Sequence, residues 1–188
     1  MKQKKNIVLI GFMGSGKTTL GLRLSYKLRM PVEDMDKTIE QREKRSITQI
    51  FQEEGEDYFR NLETSLLREI SERKYVRIIS TGGGTPVNPV NRELLKKCGF
   101  VVYLRVQPET VYERLKEDTS RPLLQCKNPL QKIKALLEER NAIYEECADI
   151  IIDADIMEAD ELIESLISQI WKKSSMIKQK ESCLNTER

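Results

Sequence analysis

Short apolar runs recur along the chain at residues 7–10, 76–79, 100–104 and 150–152, each rich in β-branched side chains. They are continuous rather than alternating, the pattern of strands covered on both faces, as in a parallel sheet. Residues 31–33 form a weaker fifth candidate. Between these runs, apolar residues recur at helical spacing over 18–28, 56–73, 88–97, 108–116, 129–147 and 158–172. Ser46-Ile47-Thr48-Gln49 reads as a capping box that opens a further short helix, stopping near Gly55. Asn128-Pro129 supplies a cap followed by a first-turn proline. Gly99, after Lys96-Lys97-Cys98, reads as a helix stop just before a strand. Strand and helix therefore alternate, which predicts an α/β doubly wound domain: one parallel five-stranded sheet flanked by helices in three layers. Ligands are expected at the carboxyl ends of its strands. There is no internal repeat. Residues 174–188 are polar and lack apolar periodicity, so a frayed tail is expected after a single domain of residues 1–173.

At 188 residues the chain suits one domain with a substantial core. Lys+Arg (32) and Asp+Glu (30) nearly cancel, for a formal charge of +2. That balance predicts no nucleic-acid partner and no anionic membrane surface. No apolar run approaches the ~18 residues that would span a bilayer. Met1-Lys2-Gln3-Lys4-Lys5 leads into a strand and then glycines rather than a small-residue cleavage site, so no secretory leader is expected. Cys98, Cys126, Cys147 and Cys183 are scattered, without a Cys-x-x-Cys pair, and read as reduced thiols of a cytoplasmic protein. The chain has no histidine. Ser-His-Asp and Cys-His catalysis and His-ligated metal sites are thereby excluded. Acid–base work must fall to carboxylates, Lys, Tyr or water.

The strongest chemical signal is Gly11-Phe12-Met13-Gly14-Ser15-Gly16-Lys17-Thr18, a complete G-x-x-x-x-G-K-[ST] motif between a predicted strand and a predicted helix. Glycines let such a loop converge its N–H groups on phosphate oxygens, and the helix N-terminus adds a favourable dipole. Lys17 would hold the β- and γ-phosphates, and the Thr18 hydroxyl would ligate Mg²⁺. A guanine-reading Asn-Lys-x-Asp, a switch Asp-x-x-Gly and an apolar run ending in Asp-Glu are all missing. These absences turn the reading from GTPases and motor ATPases towards small-molecule or nucleotide kinases.

Three further constellations bear on the substrate. Asp34-Met35-Asp36 closes the weak second strand, where a period of two would aim both carboxylates to one side; an acidic helix start is the alternative. Arg60 and Glu63 lie one helical turn apart and could pair, fixing the guanidinium to grip a carboxylate; a solvated surface pair is the alternative. Gly82-Gly83-Gly84 follows a strand directly and permits close backbone approach to a ligand, unless it is only a flexible turn.

Taken together, these residues resemble the shikimate kinase family from Asn6 through about Ile152. The resemblance is carried by the phosphate loop, the Asp34-x-Asp36 pair and Gly55-Glu56-x-x-Phe59-Arg60-x-x-Glu63. It continues through Gly82-Gly83-Gly84, Arg121-Pro122-Leu123-Leu124 and Arg140-x-x-x-Tyr144. It implies a single P-loop kinase domain with a substrate-binding segment at about 34–63 and a lid at about 114–128. The implied reaction is phosphoryl transfer from ATP to the 3-hydroxyl of shikimate, in aromatic amino acid biosynthesis, by a cytoplasmic monomer. Gly14, Ser15, Gly16, Lys17, Thr18 and Thr19 would then cradle the phosphates, with Thr18 on Mg²⁺ and Asp34 supporting the metal through water. Asp36 would contact the ring hydroxyls. Arg60 and Arg140 would bind the carboxylate beside the backbone of Gly82 and Gly83. Lys17, Asp36 and Arg121 would carry the catalysis, Arg121 closing from the lid over ATP. Arg114 would stack near adenine. Residues 153–155 match the family's adenine-side loop only in part, and the lid at 117–127 lacks glycine, so its hinge is expected at its ends. The rival readings are another small-metabolite kinase, such as a gluconate kinase, and a catalytically silent nucleotide-binding regulator.

Overall fold

The computed structural model describes residues 6–118, 124, 126–155 and 159–186, the last helix beyond residue 173 by its backbone alone. Its strands are β1 (Asn6–Ile10), β2 (Val32–Asp34), β3 (Ile78–Ser80), β4 (Gly99–Arg105) and β5 (Ile150–Asp153). They form one all-parallel five-stranded sheet in the order β2-β3-β1-β4-β5. Its helices are α1 (Lys17–Leu28), α2 (Met35–Glu43), α3 (Ile47–Glu53), α4 (Gly55–Glu72), α5 (Pro89–Cys98), α6 (Pro108–Leu115), α7 (Pro129–Cys147) and α8 (Ala159–Thr186). A 3₁₀ turn, Thr85–Val87, links the end of β3 to α5.

The continuous apolar runs are two interleaved period-two patterns. In β1, Val8 and Ile10 join Ile79, Val101 and Tyr103 beneath Ile39, Leu67, Ile133 and Tyr144. Ile7 and Leu9 face the other way, with Ile78, Val102, Ile150 and Ile152, against Leu20, Leu24, Leu162 and Leu166. Each face of the sheet thus has its own core, which is why few polar positions interrupt β1 and β4. From β1 the chain runs out to β2 and back to β3. It then crosses to β4 on β1's other side. Connections diverge at the carboxyl end of β1, so a crevice opens there. No described helix is long and apolar enough to cross a membrane.

Most expected elements are present, and both proposed caps form. Ser46 and Gln49 make the reciprocal capping box of α3, and the Asn128 side chain accepts from the Gln131 N–H at 3.2 Å. Two expectations are corrected. Asp34 and Asp36 do not alternate along one strand, because β2 ends at Asp34 and α2 begins at Met35. Asp34 caps that helix, accepting from the Lys37 N–H at 3.3 Å, and Asp36 stands in the first turn. This is the acidic helix start, stabilised by the partial positive charge of the unpaired N–H groups. The stretch read as a fraying tail is instead helical backbone as far as Thr186. Residues 159–186 contain neither Gly nor Pro, so nothing in the backbone chemistry stops α8.

Candidate active site

The phosphate loop leaves β1 at Ile10 and closes into α1 at Lys17. Gly14 and Gly16 take φ values of 73° and 93°, in the left-handed region that side chains disfavour. Lys17 lies back across the loop, its Nζ donating to the carbonyls of Gly11 (2.9 Å) and Phe12 (2.8 Å). Its ammonium is therefore held at the loop by backbone, with Ser15 buried beside it. On α1 the Thr18 hydroxyl donates to the Asp34 carboxylate at 2.7 Å. A hydroxyl and a carboxylate so placed are hard oxygen donors of the kind Mg²⁺ takes. Among the described residues no cluster of three or more His, Cys, Asp or Glu could hold a metal. Such a sparse donor set suits an ion that keeps most of its waters and shares substrate phosphates.

A cavity of about 560 Å³ lies over this loop, lined by residues 13–20 and, at its far end, by Leu104, Arg114, Leu115, Ala154 and Leu162. Arg114 reaches it from α6, donating to the Gly14 carbonyl at 3.0 Å and lying 3.9 Å from Asp155. Asp155 in turn accepts from the Gln107 N–H, so the partially matching segment after β5 is tied to the start of α6.

A second cavity, of about 430 Å³, opens alongside it. Met13, Thr18, Asp34, Asp36 and Gly83 line both. Its other walls come from α2, α3, α4, α7 and the glycine turn after β3. Arg60, on α4, binds Glu63 through Nη1 at 2.6 Å and Glu56 through Nη2 at 2.6 Å. Glu63 is completely buried and also accepts from the Thr85 hydroxyl. The solvated-pair alternative is thereby ruled out. Burial by itself would lower the Arg60 pKa, but the Glu63 charge and hydrogen bond, joined by Glu56, outweigh it and hold the pKa above its ordinary value.

The glycines after β3 make room for this arrangement. A Cβ at Gly84 would stand 2.5 Å from the Arg60 Cζ, and one at Gly82 would press on Glu63 and lie 2.9 Å from an Asp36 oxygen. A Cβ at Gly83 would lie 3.0 Å from the Met13 nitrogen of the phosphate loop. The turn is therefore a packing necessity, not merely a flexible link. Opposite it, Arg140 on α7 is buried at 7 % exposure, over the Phe12 ring, with Nε and Nη1 lacking any hydrogen-bond partner. Arg140 lines the second cavity, and a buried guanidinium with unpaired N–H groups beside a cavity favours an anionic ligand.

The residues expected from sequence converge on these two cavities. Gly14, Ser15, Gly16, Lys17, Thr18, Thr19 and Arg114 line the first, while Arg60, Gly82 and Arg140 line the second. Asp34, Asp36 and Gly83 stand where the two meet. Arg121 lies outside the described residues, as do the other expected lid residues from 119 to 123 and residue 125; of the Arg121-Pro122-Leu123-Leu124 motif only Leu124 is placed, buried in the core. Lys37 and Glu40, which line the second cavity, and Thr85, which bonds to Glu63, are not among the residues the sequence singles out. Thr85 had one sequence signal, its position directly after the three glycines.

A family model described as shikimate kinase matches residues 13–171. The chain belongs to the shikimate kinase family. It is 45 % identical over 169 residues to the shikimate kinase of Sulfurihydrogenibium sp. (strain YO3AOP1), covering 90 % of this chain and 99 % of that one. Among solved structures, a shikimate kinase from Acinetobacter baumannii in complex with shikimate superposes with a TM-score of 0.87 at 39 % identity. That match covers 92 % of this chain and 96 % of the other. The shikimate kinase of Aquifex aeolicus gives a TM-score of 0.75 at 37 % identity, covering 90 % and 98 %.

Proposed function

We propose that the chain transfers the γ-phosphoryl group of ATP to the 3-hydroxyl of shikimate, releasing ADP and shikimate 3-phosphate. The observation that carries this reading is the meeting of the two cavities at Thr18, Asp34, Asp36 and Gly83. One cavity is floored by a phosphate loop, and the other is lined by Arg60 and by Arg140, two of whose guanidinium nitrogens have no hydrogen-bond partner. A hydroxy acid whose carboxylate sits against Arg60 and Arg140 would direct a ring hydroxyl towards that junction.

Each residue then has a defined task. The loop N–H groups and Lys17 neutralise the phosphates, which matters more than a strong base in a loose phosphoryl-transfer transition state. Thr18 and Asp34 would hold Mg²⁺, which when bound would supply neutralisation of the phosphate charge. Asp36 orients the attacking hydroxyl and accepts its proton as the new P–O bond forms and the bond to the ADP oxygen breaks. Arg60 and Arg140 fix the acid by its carboxylate, as planar forks suit planar anions. Arg121 would stabilise charge on the transferring group, the role that the family resemblance implies for it. Arg114 borders the base.

ADP release should be measured with ATP and Mg²⁺, with and without shikimate. Turnover is expected only when shikimate is present; equal release without it would overturn the substrate assignment while leaving the phosphate site intact.

A further inference from the structure

The 3₁₀ turn after the three glycines carries a polar side chain with no part in the chemistry described above. Thr85 is completely buried, and its hydroxyl donates to Oε1 of Glu63. The other oxygen of that carboxylate, Oε2, accepts from the Arg60 Nη1 at 2.6 Å. Each oxygen of Glu63 thus has its own donor, one fixed in the turn and one belonging to the wall of the second cavity. The turn is itself anchored. Asn91 of α5, also fully buried, donates from Nδ2 to the Thr85 carbonyl at 3.0 Å. Arg92 donates to the carbonyls of Pro86 (3.1 Å) and Val87 (3.3 Å), and the Tyr144 hydroxyl donates to the Gly83 carbonyl at 2.5 Å. A parallel line reaches the Arg60 backbone: Asn88 donates to the Thr64 hydroxyl at 3.3 Å, which donates to the Arg60 carbonyl at 3.0 Å.

We infer that Thr85 is a positioning residue whose hydroxyl, acting through Glu63, sets the Arg60 guanidinium in the wall of the acid cavity. The inference rests on the second cavity being the acid site. The terminal torsion of a glutamate is soft, so a bond from Arg60 alone would not fix the plane of the Glu63 carboxylate. A second donor on the other oxygen does fix it, and threonine suits the task because a β-branched side chain is stiff at χ1. Arg60 also has a competing anchor, since Glu56 takes its Nε at 3.2 Å and its Nη2 at 2.6 Å. The seat of the guanidinium is therefore a balance between Glu56 at the rim and Glu63 inside. Without the Thr85 hydroxyl, Oε1 of Glu63 would be a buried acceptor lacking a donor. The carboxylate would then turn both oxygens onto Arg60 and draw its fork away from the ligand.

The test is steady-state kinetics of Thr85→Ser, Thr85→Ala and Thr85→Val. Ser and Ala differ by the hydroxyl alone, so the methyl that both lose cancels between them, while Val keeps the shape of Thr. Thr85→Ala and Thr85→Val are expected to raise KM for shikimate about tenfold, and to leave kcat and KM for ATP within about twofold. Thr85→Ser should restore the shikimate KM to within about threefold of wild type. If Thr85→Val does not fold, the Ser and Ala pair still carries the comparison. Added to Arg60→Lys, Thr85→Ala should change the shikimate KM by less than about twofold, because the fork it sets is already gone. Equal shikimate KM values in the Ser and Ala variants, equal shifts for the two substrates, or multiplicative effects with Arg60→Lys would each overturn the proposal. If the wild-type protein released ADP without needing shikimate, the acid-site reading would fail and this proposal with it. An unchanged shikimate KM in Thr85→Ala, with a shikimate-dependent wild type, would remove the proposal alone.

Discussion

The two cavities that meet at Thr18 and Asp34 are built in opposite ways. The nucleotide side is largely backbone from one contiguous segment: residues 11–16 curl between β1 and α1, and Lys17 is satisfied by carbonyls five and six positions away. The acid side is side chains from α2, α3, α4 and α7, brought over a glycine turn. Arg60 and Arg140 there are 80 residues apart in the chain. A backbone cradle binds whatever carries phosphates, so it defines a class of chemistry. A side-chain cradle of buried charges is costly unless every charge is matched, and that matching selects one ligand shape. Glu63 shows the cost being met: it is fully buried, and both Arg60 and Thr85 bond to it. Arg140 shows the opposite arrangement, a buried cation with two guanidinium nitrogens that have no hydrogen-bond partner.

Perturbing each side should therefore leave different signatures, and Lys17→Ala should have the largest. Its rate of phosphoryl transfer is expected to fall by about 10³-fold or more, because a charge aimed at the developing phosphate is lost. Circular dichroism should still report a native fold, since the loop's shape is set by its own glycines. Undiminished ADP release would break the contrast outright.

Arg60→Ala comes next, and it should strike affinity and stability together. KM for shikimate is expected to rise between about 10- and 100-fold, with KM for ATP little changed. Unfolding free energy should drop by about 3 kcal/mol, since Glu63 is left buried without its cation. Gly84→Ala sharpens the point, because its methyl would displace the Arg60 guanidinium while keeping the charge. It should raise the same KM about tenfold. Equal effects on both substrates would mean that the two cavities are not separable.

The smallest effect is a pH response confined to the acid side. Burial pushes the Tyr144 phenol up to about 12, while Arg140 and Arg60 pull it back and Glu63 adds to the rise. An acid with a raised pKa in the folded state stabilises the fold fully below its unfolded value near 10 and loses that contribution as pH climbs towards 12. Denaturant midpoints between pH 9 and 12 should thus fall less steeply in Tyr144→Phe than in the wild type, by on the order of 2 kcal/mol. Identical slopes would show that the phenol is not held in its neutral form by the fold.

What was legible in advance follows the same division. The phosphate loop could be read because its function is local, and the strands because cores on both faces leave continuous apolar runs. The Arg60–Glu63 spacing was visible, but whether the pair sat in water or in a wall was not. At Asp34 the alternation Glu33-Asp34-Met35-Asp36 carried on past the true end of a three-residue strand, too short for a period of two to be told from a helix start. Beyond residue 173 the absence of an apolar stripe predicts fraying, where the backbone is helical. A stripe reports a buried face, whereas helical backbone needs only residues that do not interrupt it.

By itself, then, the sequence determined a parallel α/β sheet, a phosphate loop at the carboxyl end of its first strand, and the residue types of a hydroxy-acid kinase. Only the tertiary structure decided that Glu63 is dry, that Gly82 and Gly84 exist to admit Glu63 and Arg60, and that Arg140 is buried with two guanidinium nitrogens unpaired. It alone decided that Tyr144 reaches Gly83. The physical reason is range: hydrogen bonds within a turn or a loop are written in neighbouring letters. Desolvation and the matching of buried charge depend on which distant segments the two cores press together.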